Sequence, residues 1–139
     1  MFGKKTGKPQ TQIDTLIGGN TRIEGNINFS GGLRVDGYIK GNVIASTDKP
    51  STLVLSDQAV VEGKIEASHA IINGVVVGAI RATEYVELQA KAKVSGDIQY
   101  KAMEIHVGAT VEGRLLHSGK DDIQSGSKVV PLMTVAHGD

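Results

Sequence analysis

An apolar residue, any residue, glycine, any residue and a second apolar residue form a unit that returns along most of this chain. It stands at Ile23-Glu24-Gly25-Asn26-Ile27, Val35-Asp36-Gly37-Tyr38-Ile39, Val61-Glu62-Gly63-Lys64-Ile65, Ile72-Asn73-Gly74-Val75-Val76, Val94-Ser95-Gly96-Asp97-Ile98 and Val111-Glu112-Gly113-Arg114-Leu115. A repeating unit buries its apolar face against its neighbours in the stack, so the first expectation is a one-dimensional solenoid. A stack with two open ends is a candidate polymer.

The residues between the glycines alternate with a period of two. Val86, Leu88, Ala90, Ala92 and Val94 share one parity, as do Met103, Ile105, Val107, Ala109 and Val111, with polar residues between most of them. That is the pattern of a half-buried strand; a helix would repeat its apolar residues at three and four. Segments 53–65, 86–98 and 103–115 align without gaps, and 33–43 matches 70–80. With Gly25, Gly41, Gly63, Gly78, Gly96 and Gly113 as equivalents, the steps are 16, 22, 15, 18 and 17 residues, a mean of 17.6. The long step holds Ser46-Thr47-Asp48-Lys49-Pro50-Ser51, a loop insertion. About eighteen residues per turn predicts a triangular coil of three short strands. Six coils stacked at about 4.8 Å make a rod roughly 30 Å long. Each inward Val, Ile or Leu contributes about 1.5–3 kcal/mol on burial, and one coil alone cannot offset its backbone entropy. The repeated glycine is expected at a corner where a Cβ would crowd the bend.

Composition supports a thin coil. Aromatics are 4% of the 139 residues, while Gly numbers 18 and Pro 3. A narrow interior filled by Ile, Val, Leu and Ala has little room for large rings. The chain divides into a polar leader at 1–14, the repeat at 15–116 and a Gly/Ser/Lys/Asp-rich tail at 117–139, both flanks expected to be disordered. An apolar patch, Val129 to Val135 around Pro131, interrupts the tail without declaring whether it docks. Lys+Arg and Asp+Glu both number 15, so the balance offers no nucleic-acid-binding surface. The absence of Cys excludes disulfides and thiolate metal sites. No apolar run approaches the roughly 18 residues of a membrane span, and a cytoplasmic location is expected.

Catalytic chemistry is not written in the pattern. His69 falls near a corner, His106 and His117 on outward parity and His137 in the tail, and all are expected to be solvated. None has metal-ligand spacing, and no glycine run forms a nucleotide cradle. Glu62, Asp97 and Glu112 alternate with basic residues along outward columns, as cross-strand charge pairs do. The expectation is no catalytic, cofactor or metal residue.

The glycine repeat, the rod of about a hundred residues and the opening Met1-Phe2-Gly3-Lys4-Lys5 together resemble the bactofilins, bacterial polymer-forming cytoskeletal proteins. The resemblance implies a right-handed parallel β-helix, filaments assembled without nucleotide and a scaffold role. It also implies peripheral attachment to the inner membrane face, with cell-wall enzymes or other cell-shape machinery as clients. Unlike many members, the leader is short and carries only Pro9. A left-handed hexapeptide-repeat acyltransferase is the main competitor, but steps of 15 to 22 break its six-residue register. A surface-binding solenoid would need a flat outward ladder of Thr or aromatics, and the outward columns are mixed charges.

Three surfaces follow as candidates. The polymer contacts are Ile17, Ile23, Ile27 and Phe29 at the N-terminal end, with Val107, Val111 and Leu115 at the C-terminal end. Outward aliphatics Ile71, Val75 and Val77 suggest a lateral patch. Met1, Phe2, Lys4, Lys5 and Lys8 are candidate contacts to anionic lipid.

Overall fold

The computed structural model describes residues 12–118, and the leader contacts Met1, Phe2, Lys4, Lys5 and Lys8, His137 and the 129–135 patch lie outside them. Sixteen short strands wind into six coils with no helix among the described residues. The first coil is β1 (Thr15–Ile17), β2 (Arg22–Glu24) and β3 (Ile27–Phe29); the second is β4 (Gly31–Val35), β5 (Tyr38–Lys40) and β6 (Val43–Ala45). β7 (Ser51–Leu55), β8 (Val60–Glu62) and β9 (Ile65–Ile72) follow. β9 bends at a corner, serving as the last side of the third coil and the first side of the fourth. β10 (Val75–Val77) and β11 (Ile80–Leu88) repeat that arrangement, and β12 (Lys93–Ser95) and β13 (Ile98–Tyr100) complete the fifth coil. β14 (Ala102–Ile105), β15 (Thr110–Glu112) and β16 (Leu115–His117) make the sixth.

All pairings are parallel and run from coil to coil. They form three faces. The first stacks β1, β4, β7, β9, β11 and β14; the second β2, β5, β8, β10, β12 and β15; the third β3, β6, β9, β11, β13 and β16. The period-two pattern now has its cause. On the second face the central residue of each strand points inward, giving the column Ile23, Ile39, Val61, Val76, Val94, Val111. On the third face Ile27, Val43, Ile65, Ile80, Ile98 and Leu115 do the same. Like stacks on like, so β-branched and Leu side chains interlock at the strand spacing and exclude water.

The six glycines taken as equivalent do form one column, each directly after a second-face strand. Their φ values run from 141° to 158°. From Gly41 onward, a Cβ on any member would fall on the carbonyl oxygen of the glycine one coil below. Two of the six repeated units belong elsewhere: Gly37 and Gly74 sit at the corner before β5 and β10, facing the carbonyls of Gly18 and Thr21, and of Ser56 and Ala59. Beside the glycine column, side-chain oxygens extend the ladder. Asn26 Oδ1 accepts from Asn42 N, Asn42 Oδ1 from Lys64 N and Asp97 Oδ1 from Arg114 N, each at 2.9 Å.

Two expectations require correction. The alternation through 86–94 and 103–111 is not one continuous strand. It breaks at turns closed by Ala92 N to Gln89 O and Ala109 N to His106 O, which lift Ala90 and Val107 out of the interior. Val107 is 96% exposed. Each turn takes up an even number of residues, so Ala92 and Ala109 return to inward parity and the pattern looks unbroken. His69, expected in solvent, is buried at the corner of β9, where Ser68 Oγ lies 3.0 Å from its Nδ1 and the Tyr85 ring stands 6.4 Å away. Desolvation holds its pKa below the usual imidazole range.

Candidate assembly surfaces

The core is closed along its length and open at its ends. Its partly buried apolar members are Ile23, Ile27 and Phe29 in the first coil and Met103, Ile105 and Val111 in the last. Their counterparts in the four coils between, such as Ile39, Val61, Val76 and Val94, are buried. Among the described residues the terminal strands are also paired on one side only, β1, β2 and β3 at one end and β14, β15 and β16 at the other. Unpaired parallel edges beside incompletely covered aliphatics are a template for another chain.

Of the predicted N-terminal contacts, Ile17 is buried and Ile23, Ile27 and Phe29 are half covered. A groove of about 760 Å³ opens beside them, its lining including Asp14, Thr15, Ile27, Phe29, Leu33 and Pro50. At the other end the structure reorders the predicted set. Val111 is half covered, Leu115 is already 2% exposed and Val107 projects from its turn. Met103 and Ile105, which the aligned repeat 103–115 contains, join Val111 on the open face. They were overlooked because parity marks a residue as inward without saying that its coil is the last.

The aliphatic side patch is divided by a corner. Val75 stacks on Val60 and Val77 on Glu62 along the second face, whereas Ile71 lies on the first face between Val54 and Glu87. Val77 is 49% exposed and Val75 half-buried. Charged residues elsewhere on the sides are mostly paired: Arg22 with Glu24, Arg34 with Asp36 and Arg114 with Asp97 at 2.9 Å, and Lys64 with Glu66 at 3.3 Å. The Arg114 guanidinium holds the Asp97 carboxyl below the usual carboxylate range.

Stacking assembles one group that spacing could not reveal. Glu87 and Glu104 are register neighbours, and their carboxylates converge with His106 so that the three donor atoms lie within 4.8 Å of one another. The Tyr85 hydroxyl stands 2.9 Å from Glu104 Oε1 and 3.2 Å from Glu87 Oε1 and donates its one proton between them, and His106 Nε2 stands 3.0 Å from Glu87 Oε2. Burial and the two carboxylates push the Tyr85 pKa up, so the phenol stays a donor. The group ties the last coil to its neighbour through ring and hydroxyl contacts to both carboxylates.

The bactofilin family model, described as polymer-forming cytoskeletal, matches residues 15–116. The chain belongs to the bactofilin family. It is 34% identical over 102 residues to bactofilin BacP of Myxococcus xanthus (strain DK1622), covering 73% of this chain and 41% of that protein. To bactofilin BacO of the same organism it is 32% identical over 102 residues, 73% of this chain and 78% of the relative. The matched stretch thus spans about two fifths of BacP. No solved structure matches the chain. The family is a structural one of polymer-forming proteins, and the solenoid is the part that this chain shares with it.

Proposed function

We propose that this bactofilin assembles end to end into filaments, without nucleotide and without catalysis, and serves as a scaffold on the cytoplasmic face of the membrane. The observation that carries the reading is the confinement of half-covered core residues to the first and last coils. Stacking a second copy on either end lets β-strand pairing and the apolar interior continue across the boundary, the same contacts that hold coil on coil within the chain. The leader would supply the membrane contact through Met1 and Phe2 in the acyl boundary and Lys4, Lys5 and Lys8 at anionic headgroups. Each such basic residue contributes about 1 kcal/mol, and a polymer multiplies weak contacts because the second one is intramolecular. Clients such as cell-wall enzymes would then be gathered along the filament, where they act on cell shape.

Val111→Arg tests the assembly reading. It sets a charge on the half-covered end of the second-face column, where a stacked copy would have to bury it at a cost of several kcal/mol. The unaltered chain is expected to pellet without nucleotide and to show filaments by electron microscopy. The variant is expected to stay in the supernatant as a small species. Filaments of normal length from the folded variant would refute the C-terminal contact.

A further inference from the structure

Among the described residues, the C-terminal end leaves Met103, Ile105 and Val111 only partly buried and one edge of β14 unpaired. All first-face strands but β1, which has Thr15 opposite Leu33, share a four-residue pattern in which the second and fourth residues are apolar and point inward. It reads Gly32-Leu33-Arg34-Val35, Thr52-Leu53-Val54-Leu55, His69-Ala70-Ile71-Ile72, Tyr85-Val86-Glu87-Leu88 and Ala102-Met103-Glu104-Ile105. The third-face strands carry the same alternation, as in Asn26-Ile27-Asn28-Phe29, and beyond the described residues it recurs at Leu132-Met133-Thr134-Val135. We propose that this segment adds in parallel to the free edge of β14 as a seventh first-face strand, Met133 over Met103 and Val135 over Ile105, and so caps the assembly face of a single subunit. The proposal rests on the reading of that end as an assembly face, and it supplies the regulation of that face.

Four features of the chain favour this occupant. The described chain leaves from Ser118, whose N–H bonds to Tyr100 O at the corner between the third and first faces. The next strand due at that corner is a first-face strand. The same corner already tolerates an insertion, residues 46–50 between β6 and β7, and closure entropy grows only logarithmically with the longer 118–131 link. Pro50 directly precedes β7, and Pro131 would likewise stand just ahead of the paired residues, where its missing N–H removes no ladder bond. Thr134 would lie beside Glu104, adding a neutral hydroxyl where the Glu87–Glu104 pair already places like charges in register. Main-chain pairing would supply affinity and the inward Met133 and Val135 the register, as in strand addition generally.

The chain contains no Cys, so introduced pairs report cleanly. In the full-length chain, Glu104→Cys with Thr134→Cys places two outward side chains on adjacent strands about 4.8 Å apart, inside the disulfide range of about 4.4–6.8 Å. Mild oxidation at low protein concentration should close an intramolecular disulfide, mapped by non-reducing electrophoresis and peptide mass. A Glu24→Cys, Thr134→Cys control at the far end should react at least about tenfold more slowly, as its effective concentration is lower. Equal rates, or disulfides only between chains, would overturn docking in cis. If the cap holds about four subunits in five, Met133→Asp or truncation after Lys128 should lower the concentration at which filaments appear about fivefold. An unchanged threshold would overturn capping. Should neither the parent chain nor the truncation ever pellet, the assembly reading itself fails, while the disulfide rates still decide where the segment docks.

Discussion

Gly63→Ala should uncouple the third coil from the second. A Cβ at Gly63 would land on the Gly41 carbonyl oxygen in the coil below, backbone against backbone, so the strands must separate or tilt. Overpacking of that kind costs about 1–3 kcal/mol. The backbone there also has φ +158°, at the margin of what a side chain accepts, adding about 1–3 kcal/mol of strain. The same column contains its own control. Gly25 has φ +141° but nothing within 4 Å of its would-be Cβ, since no coil lies beneath it among the described residues. Gly25→Ala should therefore lose only the conformational part, about 1–3 kcal/mol. Gly18, with open space and no left-handed φ, should tolerate Ala within about 1 kcal/mol. Thermal unfolding followed by circular dichroism, each change made in the Val111→Arg chain to keep assembly out of the signal, reads the series. At roughly 4 °C per kcal/mol for a body of this size, Gly63→Ala should melt at least about 8 °C below its parent. Equal losses for Gly63→Ala and Gly25→Ala would refute the claim that coil-to-coil contact demands the glycines.

His69 is buried with its pKa held below the usual range by desolvation, so the unfolded chain takes up its proton first as pH falls. Stability should drop from pH 7.5 to 5, through the unfolded pKa toward the lower folded one, by more in the parent than in His69→Gln; identical pH profiles of melting temperature would contradict this. Replacing Val75 and Val77 with Thr should leave single filaments intact and thin any lateral bundles, measured as widths in negative-stain micrographs. Bundles of unchanged width would remove the second face from consideration. Liposome co-sedimentation should show anionic-lipid binding that falls with salt, with Phe2→Glu and with the Val111→Arg block to assembly; a non-assembling chain that binds as well as filaments would exclude avidity.

How much of this was legible beforehand follows from what repeats. Stacking places each residue on its equivalent one coil away, and the six glycines are equivalent by spacing because, from Gly41 onward, nothing else fits under a carbonyl oxygen there. The first-face and third-face strands are legible too, since inward Leu, Ile and Val recur at every second residue, although Val54, Ile44 and Ile71 stand among the outward positions. The corners were not. Val107 sits where parity predicts the interior and a turn delivers it to solvent, His69 near a corner is expected in solvent and is buried by the bend of β9, and no local pattern distinguishes a turn that preserves parity from a continuing strand.

The sequence by itself determined a strand-built, six-coil stack, its core residues and its kinship, because periodicity of two within strands and of about eighteen between coils is a property of order along the chain. Only the tertiary structure decided which inward residues remain half covered. Burial depends on whether another coil lies above or below, so Val94 at 2% exposure and the half-covered Val111 differ in nothing but their place in the stack. The convergence of Glu87, Glu104 and His106 and the separation of Ile71 from Val75 have the same origin. Stacking brings residues 17 apart into contact, while a corner parts residues four apart.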